Sequence, residues 1–209
     1  MEILELSDPL KAYQEAIDSY KSNFKILISG SEKSIQVLEE RGRSFPAQTK
    51  KIDIKVWLDE KKKEVEMRYE NDGIDMRVLE GRWSPTKERI SFSLGAIHSP
   101  LLGIKVKAKN SSEIVSLLNY GGWNNCPPAN VHKAIWMHWS KKYHAKIVAI
   151  SEDSIEAFVG RGPGHPLKAL ELAWEQYLYC PYIVEQNYGT IFELAARLYH
   201  GNTWTFWWD

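Results

Sequence analysis

Cysteine is nearly absent from this chain, with Cys126 and Cys180 the only two in 209 residues. That excludes a disulfide framework, and with no C-x-x-C spacing neither a zinc ribbon nor a thioredoxin-type redox pair is present. Charge of one sign is not in excess either. Lys and Arg number 27 against 27 Asp and Glu, so no global field draws the chain to nucleic acid or to an anionic membrane. No run approaches the roughly 18 apolar residues of a membrane span. Met1-Glu2-Ile3-Leu4-Glu5 lacks the basic start of a secretory signal, and Asp8-Pro9 interrupts it too soon. These absences set the expectation of a cytoplasmic protein that engages neither nucleic acid nor membrane. Internal repeats, low-complexity tracts, a Walker loop and a G-x-S-x-G nucleophile motif are also missing.

Aromatic residues are what the chain has in quantity, at 12% of positions within a 44% hydrophobic content sufficient for a real core. Seven of the nine tryptophans fall between Trp123 and Trp208. The sequence closes on Phe206-Trp207-Trp208-Asp209, whereas chain ends are usually loose and polar. Burying one large aromatic ring is worth about 2 to 3 kcal/mol, so three together predict a docked terminal strand. Alternation along it puts Trp204, Phe206 and Trp208 on one face and Thr205, Trp207 and Asp209 on the other.

Periodicity predicts an α+β fold. An amphipathic helix follows Asp8-Pro9 to about Lys21, then come a strand over Phe24 to Ser29 and a second helix to about Glu40. Alternating patterns at Ile52 to Leu58 and Val65 to Tyr69 read as a hairpin with a charged tip at Asp59 to Lys63, and further strands are expected at Ile74 to Leu79, Ile90 to Leu94 and Ile104 to Val106. The N-terminal part is thus a β-rich meander with two helices. Beyond it the pattern gives a short helix from Ser111, a helix over Asn130 to Lys142, a hairpin of Lys146 to Ile150 with Ile155 to Val159, and a last helix over Thr190 to Tyr199 before the final strand. Between these, a helix stopped by Pro181 carries Leu167, Leu170, Trp174, Tyr177 and Leu178 in one apolar stripe. The best internal boundary lies near Pro100 to Gly103, dividing residues 1–102 from 103–209, with one continuous domain as the other reading.

The chemistry-bearing residues divide between structural and functional readings. Cys126 and Cys180 each precede proline, and packing is the first reading of both. His132, His138 and His144 recur every six residues, which turns each by about 240° on a helix, so they share no metal-binding face. No metal and no cofactor are expected. Gly160-Arg161-Gly162-Pro163-Gly164-His165-Pro166 joins a strand to a helix, but its prolines remove backbone donors a phosphate would need. Arg161 and His165 remain as contacts for an acidic partner, and Trp123 and Trp207 are the tryptophans most suited to line a groove. Asp209 is either a terminal salt-bridge clamp, with Arg161 or Arg197 opposite, or an acid/base group beside His165 or His138.

Three blocks carry a family resemblance: Gly122-Trp123-Asn124-Asn125-Cys126-Pro127; Trp174-Glu175-Gln176-Tyr177 leading to Cys180-Pro181-Tyr182-Ile183-Val184; and the closing Trp204-Thr205-Phe206-Trp207-Trp208-Asp209. Together they resemble an uncharacterised bacterial domain family whose hallmark is a Trp-Trp-Asp ending, and the resemblance covers the C-terminal half. It brings no activity with it. The chain departs from the family pattern at Tyr182, where an acidic residue is expected, and at Asn187, where glycine is expected.

Two functional expectations follow. The first is macromolecular recognition by a small protein-binding factor of accessory or immunity type, which needs no catalysis and calls for exposed apolar surface. The second is a hydrolase or transferase using Asp209, His165 and Cys126 in a tryptophan-lined cleft, which calls for those groups to converge with shifted pKa values.

Overall fold

The first two helices begin on side chains suited to the task. Asp8 accepts from the Lys11 amide and opens α1 (Pro9–Ser19), with proline in the first turn where its missing N–H is harmless. Ser31 accepts from the Ser34 amide at the start of α2 (Glu32–Ser44). The computed structural model describes residues 1–44, 50–82 and 101–208. The strand expected at Ile90 to Leu94, most of the loop after Gly42, and Asp209 lie outside them.

One mixed sheet of six strands organises the described residues, in the order β1-β3-β2-β4-β5-β6. Its strands are β1 (Glu2–Leu6), β2 (Phe24–Gly30), β3 (Leu101–Lys107), β4 (Ala145–Ile150), β5 (Ser154–Val159) and β6 (Thr203–Trp207). Neighbours are antiparallel except β2 and β4, which run parallel in the middle through the Ile28 and Ala149 register. The sheet therefore takes strands from both sides of Gly103. At Gly103 itself an added Cβ would sit 2.7 Å from Leu6 and 2.9 Å from the Leu27 carbonyl, so a side chain there would push β1 and β2 apart.

The second segment supplies most of the helical cover: α5 (Ser111–Leu117), α6 (Ala129–Tyr143), α7 (Pro166–Tyr179), a π-helical turn (Ile183–Tyr188) and α8 (Ile191–His200). On β6 the alternation is as expected, with Trp204, Phe206 and Trp208 buried and Trp207 half-buried. Their rings close an aromatic box with α6 and α7. Trp139 stacks on Phe206 at 5.4 Å between centroids, and Tyr179 meets Phe206 and Trp208 edge-on at 5.1 and 5.2 Å. Such pairs each add about 1 kcal/mol beyond their buried area.

Two expectations fail within this α+β frame. Ile52 to Leu58 and Val65 to Tyr69 are not a hairpin but parts of one 18-residue helix, α3 (Ile54–Asn71), and Ile74 to Leu79 gives way to a short helix, α4 (Arg77–Glu80). The alternation over Ile52 to Leu58 was real but short. The run from Asp59 to Glu66 holds no Gly, Pro or Asn and consists of good helix formers, Asp53 caps the Lys55 and Val56 amides, and Lys61 pairs with Glu64 one turn on. The expected stripe on α7 holds in part, with Tyr177 and Leu178 buried and Leu170 and Trp174 packed against the core. Leu167 is 65% exposed, and the buried face runs through Ala169, Leu172, Ala173, Gln176 and Tyr177, because small alanines let α7 lie close to α8.

Candidate functional site

The loop between α5 and α6 folds around two glycines and two prolines. Gly121 has φ of +102°, and a Cβ there would lie 1.9 Å from the Pro127 carbonyl oxygen and 2.5 Å from the His132 ring, so only glycine fits. Gly122 N–H donates to the Cys126 and Pro127 carbonyls, and Cys126 N–H donates to the Trp123 carbonyl, closing a tight turn. Pro128 then leads directly into α6. This geometry places Cys126 over the first turn of α6, where His132 sits, six residues on.

Beneath the loop lies a buried hydrogen-bonded chain. Trp136 Nε1 donates to the Tyr179 hydroxyl at 3.0 Å, and that hydroxyl lies 2.5 Å from His132 Nδ1. His132 Nε2 is 3.3 Å from Cys126 Sγ, and the imidazole also bonds the Pro127 carbonyl. The Pro127 carbonyl, on the Nε2 side of the ring, can only accept, which assigns the ring proton to Nε2, facing the carbonyl and the sulfur; Nδ1 then accepts the tyrosine proton while the hydroxyl accepts from Trp136. Burial pushes the His132 pKa down to about 3, and burial with the nearby Cys180 sulfur pushes the Cys126 thiol up. Cys180, donating to the Trp207 carbonyl at 3.1 Å, is raised by burial to about 12. The pair at rest is a neutral thiol beside a neutral imidazole that already holds its proton on the facing nitrogen. Such a ring cannot take the thiol proton, so the pair is not poised as nucleophile and base.

Above this floor a cleft of about 540 Å³ opens between α3 and the C-terminal half. One wall is α3, with Trp57, Lys61, Glu64, Val65 and Arg68; the other is the loop Asn124 to Pro128, with Leu178, Pro181, Tyr182 and Glu185. Its charges are paired within it. Lys61 meets Glu64 at 2.5 Å and Arg68 meets Glu185 at 3.4 Å, while Arg68 also donates to the Tyr177 hydroxyl at 3.0 Å. Burial and the Glu185 carboxylate keep that phenol protonated by raising its pKa. Within the second wall Asn125 Nδ2 donates to the Tyr182 hydroxyl at 3.1 Å. Tyr182, where the family pattern led us to expect an acid, thus serves as a neutral hydrogen-bonding group.

Those of the expected site residues that are described do not gather in one place. Cys126 contributes to the cleft, but His165 is the exposed N-cap of α7, its Nδ1 accepting from the Leu167 amide at 3.2 Å. A 14-residue helix, about 20 Å long, separates His165 from Leu178 beside Cys126. Arg161 is exposed on the loop before α7. Trp123 is half-buried under the Arg41 guanidinium, 3.7 Å from its ring centre, and Trp207 is half-buried with its Nε1 on Gln186 at 3.4 Å. His138 contacts Glu175 at 3.3 Å, alongside Trp139 and Lys142, in a clamp between α6 and α7. Among the described residues no group of three or more His, Cys, Asp or Glu is placed to hold a metal ion. Trp57 and Arg68 were not foreseen, and His132 was considered only as a metal ligand and set aside. His132 carried a readable signal, six residues beyond Cys126 across a Pro-Pro bend, whereas the part of α3 was hidden by its misreading as a hairpin.

Residues 103–209 match the family described as a domain of unknown function (DUF4253), and the chain belongs to it. The match runs from within β3 through β6, including the Cys126 loop, His132 and the aromatic box. No curated protein and no solved structure matches the chain.

Proposed function

We propose that this chain is a recognition protein that binds a segment of another protein in the cleft between α3 and the Asn124 to Pro128 loop. The hydrogen-bond wiring of the floor carries this reading: His132 donates where a catalytic base would accept, so Cys126 serves to shape the cleft. Above it the surface suits polypeptide. Trp57, Val65 and Leu178 offer apolar contact, Asn125 and Tyr182 offer hydrogen-bonding groups, and the internally paired charges leave no strong preference for a charged ligand. Val56 and Met67, 52% and 60% exposed on the same helix, extend the apolar surface beyond the cleft.

Capture from native-host lysate tests this, using an N-terminal tag that leaves the C-terminus free. The expected result is a protein retained by the wild type, lost with Trp57→Ala, and kept by Arg161→Ala on the distant loop. Equal retention by all three, or by none, would contradict the assignment. A cysteine-based activity is the second reading, because Sγ and Nε2 do lie within 3.3 Å. It requires Cys126 to react with iodoacetamide in the folded protein near pH 7, whereas the structure predicts labelling only on unfolding.

A further inference from the structure

On the other side of the start of α3 is a second cleft, of about 360 Å³, with a different chemistry. Its floor is apolar: Ala134 and Met137 on α6 face Ile52 and Ile54 of the segment entering α3. Met137 is 56% exposed there, an adaptable side chain presented to solvent. Around that floor stand four ammonium groups, Lys50, Lys51, Lys133 and Lys141, and among the described residues no carboxylate lines it. Lys133, Met137 and Lys141 follow at i, i+4 and i+8, so the helix itself puts the charges at both ends of the apolar strip.

The neighbouring carboxylates are committed elsewhere. Asp53 caps the Lys55 and Val56 amides, and Glu175 is held by His138, Trp139 and Lys142. Among the described residues none of the four lysines forms a salt bridge. Four like charges around an apolar floor repel one another, and an anion seated among them would relieve that repulsion. The volume lies within the range of small-ligand pockets.

We infer that this cleft is a binding site for a small organic anion: an apolar body carrying one carboxylate, sulfonate or phosphate group. The body lies on Ala134, Met137, Ile52 and Ile54, and the anionic group is held by the lysines, with Asn130 at the rim as a hydrogen-bonding group. The site is separate from the cleft floored by Cys126, and the inference does not rest on protein binding there.

Fluorescence titration of the full chain tests it with a matched pair of probes, anilinonaphthalene sulfonate and its uncharged counterpart N-phenyl-1-naphthylamine. The expected result is one sulfonate bound per chain, about tenfold tighter than the neutral probe, weakened severalfold between about 50 and about 500 mM salt. Lys133→Gln with Lys141→Gln should raise its Kd about tenfold, and Ala134→Phe, which fills the cleft and leaves the lysines, should abolish binding. Trp57→Ala, in the first cleft, should leave it unchanged. Circular dichroism confirms that each variant is folded. Displacement by naphthalene carboxylate and not by hexaglutamate is expected. Equal affinity for the neutral probe, indifference to the lysine and Ala134 variants, loss with Trp57→Ala, or preferential displacement by hexaglutamate would each overturn the assignment.

Discussion

A buried histidine held as neutral imidazole makes stability depend on pH in a stated direction. His132 has a pKa near 3 in the fold against an ordinary 6.5, so below 6.5 the unfolded chain takes up a proton that the native chain refuses. Its full contribution is present above pH 6.5 and is lost as pH falls toward 3. The loss should amount to about 2 kcal/mol between pH 7 and pH 5. Thermal midpoints over that range should fall for the wild type and fall much less for His132→Gln, which has no proton to gain; parallel slopes would contradict the assignment. Gly121 is the second residue on which the site depends. Gly121→Ala sets a Cβ against the Pro127 carbonyl and the His132 ring at positive φ, and should destabilise by about 3 kcal/mol or more in denaturant titration. Gly122, with open space around its Cβ position, should tolerate alanine better.

At the scale of elements, what was legible in the sequence was whatever burial and caps both specified. β2, α1, the β4 and β5 hairpin, α6, α8 and the alternation of β6 all follow from apolar period and terminal residues acting in the same sense. α3 was not legible as a helix because no residue on it is buried. Its hydrophobic pattern is weak, and an alternation of a few residues at its start outweighed helix propensity further on. That same lack of burial makes α3 the loosest of the long helices, held by half-buried Ile54, Leu58, Val65 and Tyr69 packing on the core. Hydrogen exchange should therefore open α3 well below the free energy that protects α6. Asp53→Ala, removing its cap, should speed exchange across α3 about fivefold, a loss near 1 kcal/mol, while moving the global midpoint little. Uniform protection of α3 and α6 would contradict this.

For the molecule as a whole, the sequence could give strands but not their order. β1 pairs with β3 nearly a hundred residues away, and β2 meets β4 in a parallel pairing at the centre; such partners are chosen by long-range packing, which no local pattern encodes. The site was legible to the same degree. The Cys126 turn and the aromatic ending could be read as local motifs, but that Trp57 and Arg68 of α3 wall the cleft above Cys126 depends on how a distant helix lies on the C-terminal half. The resulting architecture sets a hydrogen-bonded floor under a cleft whose α3 wall has no buried residue.

The most direct test of that account is calorimetric titration of the captured partner with wild type, Trp57→Ala and Cys126→Ser. If the cleft recognises a protein segment and Cys126 only shapes its floor, Kd rises at least about tenfold for Trp57→Ala and stays within about twofold for Cys126→Ser. Unchanged affinity for Trp57→Ala, or a requirement for the Cys126 thiol, would contradict it.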